Sequence, residues 1–187
     1  IQKKKNYFRN IFKILSSKSG NIPKRLKKTF KANVTVTYNF GICRYRGKVK
    51  QSGDLKDHIK LINGWPVQSL DVELKTGNIL NAVNFKLLIP ETRNGLNEVL
   101  ATSILKDLGF LAPETFEVNT SINGIKAVKL FQEKAKKEFL ERNLRREGPI
   151  FRGDETLMWS YKTFSTIELD RLSLSTLYNK GWFKKGS

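Results

Sequence analysis

Apolar residues alternate with polar ones over several short stretches of this chain, and then the spacing changes. In ANVTVTYNF, Val34, Val36 and Tyr38 alternate with polar neighbours; after a turn at residues 39–41, ICRYRGKVK continues, which predicts a β-hairpin. QSLDVELK repeats the signal with Leu70, Val72 and Leu74. Thr76, Gly77 and Asn78 predict a turn, and VNFKLLI then places Val83, Phe85, Leu87 and Ile89 on one face. A period of two predicts antiparallel strands with one solvated side. Leu96, Val99, Leu100, Ile104 and Leu108 recur instead at helical spacing. Gly109 follows where a helix that must stop places a left-handed residue, so a helix is expected over about residues 94–108. Asn123-Gly124, between FEVNTSI and IKAVKLFQE, supplies the two positive-φ residues of a tight hairpin. A second helix is expected over residues 134–145. The predicted class is α+β: an antiparallel sheet of four or five strands, a helix packed on it, two more strands and a further helix.

Charge divides the chain. The net charge is +18, yet residues 1–53 hold 15 Lys and Arg with no acid, against 20 basic and 17 acidic residues from Asp54 onward. Residues 1–31 therefore read as a basic arm. Within it Tyr7, Phe8, Ile11, Phe12, Ile14 and Leu15 fall at near-helical spacing among Lys4, Lys5, Arg9 and Lys13. Such a helix can lie on an anionic membrane surface, pack on the domain, or flank a membrane anchor outside this chain. Nucleic-acid binding is the weaker reading, because stacking aromatics are few among the lysines. The tail from Gly148 carries Met158, Trp159, Tyr161, Phe164, Leu169, Leu172, Leu174, Leu177 and Trp182 with poor periodicity, which suits packing against a further lobe.

With 187 residues and 39% hydrophobic content, the chain can build one ordinary core. It opens without methionine and closes without a recognisable end, as a fragment would. Cys43 cannot form an internal disulfide, and no second Cys or His stands near it for a zinc site. No apolar stretch reaches the ~18 residues needed to span a bilayer.

Between Arg44 and Glu155 several short features recur in a fixed order. They are Asn97-Glu98 early in the helix, Leu108-Gly109 followed by Ala112-Pro113-Glu114-Thr115, Asn123-Gly124 in the hairpin, Glu133 at its exit, and Lys137-Glu138-Phe139-Leu140 in the next helix. In this order they resemble the CotH-like kinase family, the spore-coat protein kinases and their bacterial relatives, and among these the uncharacterised bacterial members. The resemblance implies a protein-kinase-like small lobe over residues 32–147, preceded by the arm and followed by the start of a second lobe at residues 148–187. It implies ATP and Mg²⁺ as cofactors and, in the complete protein, phosphate transfer to Ser or Thr of a protein substrate. A membrane-associated or cell-envelope location suits the basic arm.

Phosphoryl transfer of this kind needs a strand cation to hold phosphates and a helix carboxylate to orient it. Glu98 is the natural carboxylate, against a plainer role as a helix N-terminal acid favoured by the macrodipole. Lys86 is the favoured cation, with Lys75 and Arg93 as alternatives. RYRGKVKQSGDLKD resembles the family's Arg-Gly phosphate-contacting turn, with Arg46, Gly47 and Gly53 as its parts, in place of the absent G-x-G-x-x-G loop. Glu133 stands where the connection between lobes would begin, able to reach a ribose hydroxyl or cap the helix that follows. The catalytic aspartates are missing: Asp170, the one aspartate after Asp154, has no family motif around it. Arg152-Gly153-Asp154 reads as a Gly-Asp turn, Asp154-Glu155 as solvent-facing acids, and His58 as a structural histidine without a triad. The rival reading is a non-catalytic module whose basic arm binds a membrane or another polyanion.

Overall fold

The computed structural model describes residues 1–154 and 174–179. Two compact units divide the chain, Ile1–Lys134 and Ala135–Ser187. The boundary falls at the exit of the second hairpin strand, not at residue 147, and residues 1–31 belong to the first unit.

The first unit is a curled antiparallel sheet. Its strands are β1 (Thr29–Tyr38), β2 (Gly41–Gln51), β5 (Leu70–Leu74), β6 (Asn84–Leu88), β7 (Thr115–Ile122) and β8 (Ile125–Glu133), in spatial order β1-β2-β5-β6-β8-β7. The strand alternation read from the sequence is present: Val49, Val72, Phe85 and Phe131 all lie in one buried cluster. At its centre Phe131 stacks between Phe85 and Phe116, each at 4.7 Å between ring centroids. The mixed α+β character is as expected from the pattern. Asn123 and Gly124 make the β7–β8 turn with φ of 54° and 92°, the left-handed pair that hairpin needs.

A second hairpin went unread in the sequence. β3 (Ile59–Ile62) and β4 (Trp65–Gln68) pair across Asn63-Gly64, again with positive φ at both residues. Four-residue strands are too short for alternation to stand out, and a proline such as Pro66 is uncommon within a strand. Gln68 leads almost directly into β5 (Leu70–Leu74).

The basic arm forms helix α1 (Lys4–Leu15), and its apolar face is not free. Tyr7, Ile11 and Ile14 are buried with Ile22 and Ile59, and Phe30 of β1 and Ile122 of β7 pack on the same cluster. Tyr7 meets Phe30 edge-on at 5.5 Å. Contact of one helix with both edge strands is what the curl of the sheet allows.

Helix α2 (Asn97–Asp107) lies between β6 and β7 in sequence, as expected, but its apolar stripe does not face the sheet. Leu96, Leu100, Ile104 and Leu108 are all exposed, and Thr102 is the buried residue of the helix. Polar contacts at its two ends fix its rotation. Gln132 of β8 donates to Glu98 in the first turn, and the Lys106 ammonium sits 2.8 Å from the Glu114 carboxylate near the last.

In the second unit α3 (Lys137–Arg142) is shorter than the helix expected over 134–145, and β9 (Phe151–Asp154) pairs with β10 (Leu174–Leu177). The Asn179 amide ties the start of β9 down, accepting from Ile150 N–H at 2.8 Å and donating to Gly148 C=O at 2.7 Å. Glu155, Asp170 and the apolar tail residues Met158, Trp159, Tyr161, Phe164, Leu169, Leu172 and Trp182 lie outside the described residues.

Candidate functional site

Successive strands place one polar residue each at the same level of the sheet. Lys50 of β2, Asp71 of β5, Lys86 of β6 and Gln132 of β8 are direct cross-strand partners in that order. Neighbours in such a row hold their Cβ atoms about 4.5–5.5 Å apart, so four strands deliver their side chains to one patch. The patch lies on the face opposite Val49, Val72 and Phe85, since side chains alternate along each strand.

Asp71 organises the row. Its carboxylate accepts from Lys134 at 3.1 Å, lies 3.8 Å from the Lys50 ammonium, and has the Ser52 hydroxyl at 3.5 Å. Lys134 follows β8 directly and is fixed by its N–H to Asn84 C=O at 2.9 Å. Glu98 enters from α2, held by the Gln132 amide and 4.0 Å from Arg93 Nε. That Nε is buried with no hydrogen-bond partner among the described residues.

Lys86 is half-buried, and no ion pair or hydrogen bond joins its ammonium to any described residue. Burial pushes its pKa below the ordinary lysine value; Asp71 opposes this, the charges of Arg93 and Lys134 add to it, and Glu98 opposes it. Four cations, Lys50, Lys86, Arg93 and Lys134, thus stand around two carboxylates. The local excess is positive, and the patch can take up an anion.

Of the sequence-predicted residues, Lys86, Glu98 and Arg93 come together here. Glu98 is held by Gln132 and Arg93, and no Lys86–Glu98 ion pair forms within 4.0 Å. Lys75 does not join them: it lies four residues along from Asp71, roughly 13 Å, and pairs with Glu73. Arg46 is beside Lys75, whose N–H donates to the Arg46 carbonyl at 2.7 Å. The Arg46-Gly47 pair sits inside β2, a correction to its expected place in a turn. A Cβ on Gly47 would come 2.9 Å from the Glu73 carbonyl, so this glycine admits the neighbouring strand. Gly53 does lie in a loop, with φ +83°, but the His58 ring occupies the place of its missing Cβ. His58 is structural, its Nδ1 3.0 Å from the Ser69 hydroxyl, with burial lowering its pKa. Glu133 is turned to the other face, where it is buried and accepts from Glu114 N–H at 3.2 Å.

Asp71, Gln132, Lys50 and Lys134 were missed as site residues. Each occupies a polar position of an alternating strand or its end, and only the strand register shows that they meet. Phosphate oxygens fit this donor set of ammonium and guanidinium groups. Magnesium finds less: no grouping of three metal-ligating side chains exists among the described residues, and both carboxylates already face protein donors. No helix among them is long and apolar enough to cross a membrane. No protein-family model matches the chain, and no curated protein matches it.

Proposed function

We propose that the first unit binds the phosphates of a nucleoside triphosphate, as the small lobe of a CotH-like atypical kinase that, when complete, phosphorylates Ser or Thr of a protein. The observation that carries this reading is Lys86: a half-buried ammonium without a hydrogen-bond or ion-pair partner among the described residues, in a patch of excess positive charge that also holds a buried Arg93 Nε with no hydrogen bond. Asp71 and Glu98 offset the burial of Lys86 only in part, and a cation taken out of water with no hydrogen-bonded partner is costly unless an anion completes it. The order of parts supports the same reading. The lysine is on an interior strand of the six-stranded sheet, fourth in the order β1-β2-β5-β6-β8-β7, and the glutamate on the helix that follows it, the two groups with which kinases hold ATP phosphates. Magnesium and the acceptor-activating aspartate belong, on this proposal, to parts of the protein beyond the first unit.

Titration with ATP, followed by calorimetry, tests it. Lys86→Ala should weaken binding about tenfold or more, the worth of one hydrogen bond to a charged group. Lys75→Ala, removing an equal charge roughly 13 Å away, should leave affinity within about twofold. Equal affinity in wild type and Lys86→Ala, with both folded by circular dichroism, would overturn the proposal.

A further inference from the structure

The β1–β2 hairpin outruns the sheet it belongs to. β2 pairs with β5 from Gly47 to Gln51, whereas its pairing with β1 continues to Tyr38↔Gly41. The last four pairs, from Thr35↔Arg44 to Tyr38↔Gly41, form a two-stranded ribbon about 13 Å long.

One face of this hairpin is cationic throughout. Arg44, Arg46 and Lys48 stand two residues apart on β2, roughly 6.6 Å between neighbours, and Lys31 lies opposite Lys48 on β1. All four are exposed, and none has an ion-pair partner among the described residues. The acid best placed to neutralise them, Glu73 opposite Lys48, is paired with Lys75. Thr35 and Asn33 fill the positions across from Arg44 and Arg46.

The ribbon ends in apolar side chains. Phe40 is 81% exposed and Ile42, on the cationic face, 62%. One side of the Phe40 ring is stacked on Tyr38 at 4.8 Å, an internal support that leaves the other side bare.

We infer that this ribbon docks the protein on an anionic lipid bilayer, Phe40 and Ile42 entering the headgroup–acyl boundary while Arg44, Arg46, Lys48 and Lys31 meet lipid phosphates. A cationic strip alone suits any polyanion; the tip selects the bilayer. Isoleucine offers a nucleic acid neither a hydrogen bond nor a stacking surface, yet its transfer to the acyl boundary is favourable. Helix α1 is the weaker candidate despite its lysines, because Tyr7, Ile11 and Ile14 are spent on the protein's own core.

Co-sedimentation of the whole chain with phosphatidylcholine vesicles, with and without phosphatidylserine, tests this. Binding should require phosphatidylserine and fall with salt. Each cation near such a surface contributes roughly fivefold, so Arg44→Gln/Arg46→Gln should lose about 25-fold. Phe40→Ser/Ile42→Ser should lose about tenfold or more with charge unchanged. Lys4→Gln/Lys5→Gln, the same charge removed from α1, should cost under about threefold if contact is local. Equal losses from the α1 and ribbon pairs would mean that net charge alone drives binding, and would overturn the inference. So would tighter binding to a single-stranded oligonucleotide that is indifferent to Phe40 and Ile42. The nucleotide titration turns on Lys86, further along the same sheet face, and the vesicle assay on Phe40, Ile42, Arg44 and Arg46, so either proposal can fail without the other.

Discussion

Helices α1 and α2 have nearly the same length, and both carry apolar residues at helical spacing, more sharply segregated in α1 than in α2, yet they use them in opposite ways. In α1 the stripe is buried, with Ile11 at 1% exposure among Ile14, Ile22 and Ile59. In α2 the corresponding stripe is open, with Leu100 at 61% and Leu108 at 67%. Periodicity states which side chains share a face. The direction of that face is decided by what else holds the helix. α1 has no acid; Asn10 donates to the Leu26 carbonyl at 2.8 Å and Lys56 to the Leu15 carbonyl at 3.1 Å, contacts that hold the same face on the protein as its apolar stripe, which turns inward. α2 is held by Glu98 to Gln132 at one end and Lys106 to Glu114 at the other, and these polar contacts set its rotation instead.

Truncating the buried stripe should have the largest effect. Ile11→Ala removes a side chain with no room to relax toward solvent and should cost about 2–5 kcal/mol in urea denaturation. A loss under about 1 kcal/mol would mean that α1 only rests on the domain.

Beneath α1 lies a second consequence of its packing. Lys129 lines a small cavity with Tyr7 and Gln68, is fully buried, and donates to the Gln68 carbonyl at 2.6 Å. Burial lowers its pKa to about 8, with the Glu91 charge opposing. The folded state therefore releases this proton before the unfolded chain does. Between about pH 8 and pH 10 the unfolded state binds more protons, and stability rises with pH, by about 2–3 kcal/mol in total. Below pH 8 both states are protonated and the penalty is present in full. Lys129→Met should abolish that rise, and the difference between the two proteins' denaturation curves across this range measures it. Parallel curves would show that Lys129 is hydrated. The open side of α2 has no comparable buried charge in its helix.

The strands were legible because alternation of two is a strong signal and because Asn123-Gly124 fixes its turn chemically. The row that builds the candidate site was only half legible. Lys86, Arg93 and Glu98 could be named from their places before and within a helix, whereas Asp71, Gln132 and Lys50 gain meaning from register, which one sequence does not state. Arg46-Gly47 misled because a glycine beside a cation resembles an anion-binding turn, while here Gly47 makes room for the Glu73 carbonyl of the next strand. For α2 the stripe itself was read correctly and its direction wrongly, since the polar contacts that rotate it come from Gln132 and Glu114, distant in sequence.

Gln132→Ala separates the polar hold on α2 from its apolar content. It frees Glu98 from its amide donor and should cost about 1 kcal/mol, since the carboxylate remains partly in water. Faster amide hydrogen exchange in the first turns of α2, with β6 and β8 unchanged, is the expected signature. Unchanged exchange would place the rotation of the helix elsewhere, in Thr102 or the Lys106–Glu114 pair.

The smallest effect is expected from the open stripe, and it bears most directly on the contrast between the helices. Leu100→Ser and Ile104→Ser remove apolar groups already facing solvent, so each should change stability by under about 0.5 kcal/mol, apart from a small loss of helix propensity. Ile11→Ala in α1 loses several times more from a side chain of similar size. If Leu100→Ser and Ile104→Ser were instead to cost 2 kcal/mol or more, comparable to a core truncation, the stripe would be covered in solution, and α2 would be an amphipathic helix of the same kind as α1. A near-zero effect leaves Leu96, Leu100, Ile104 and Leu108 as apolar surface that folding of the first unit does not use.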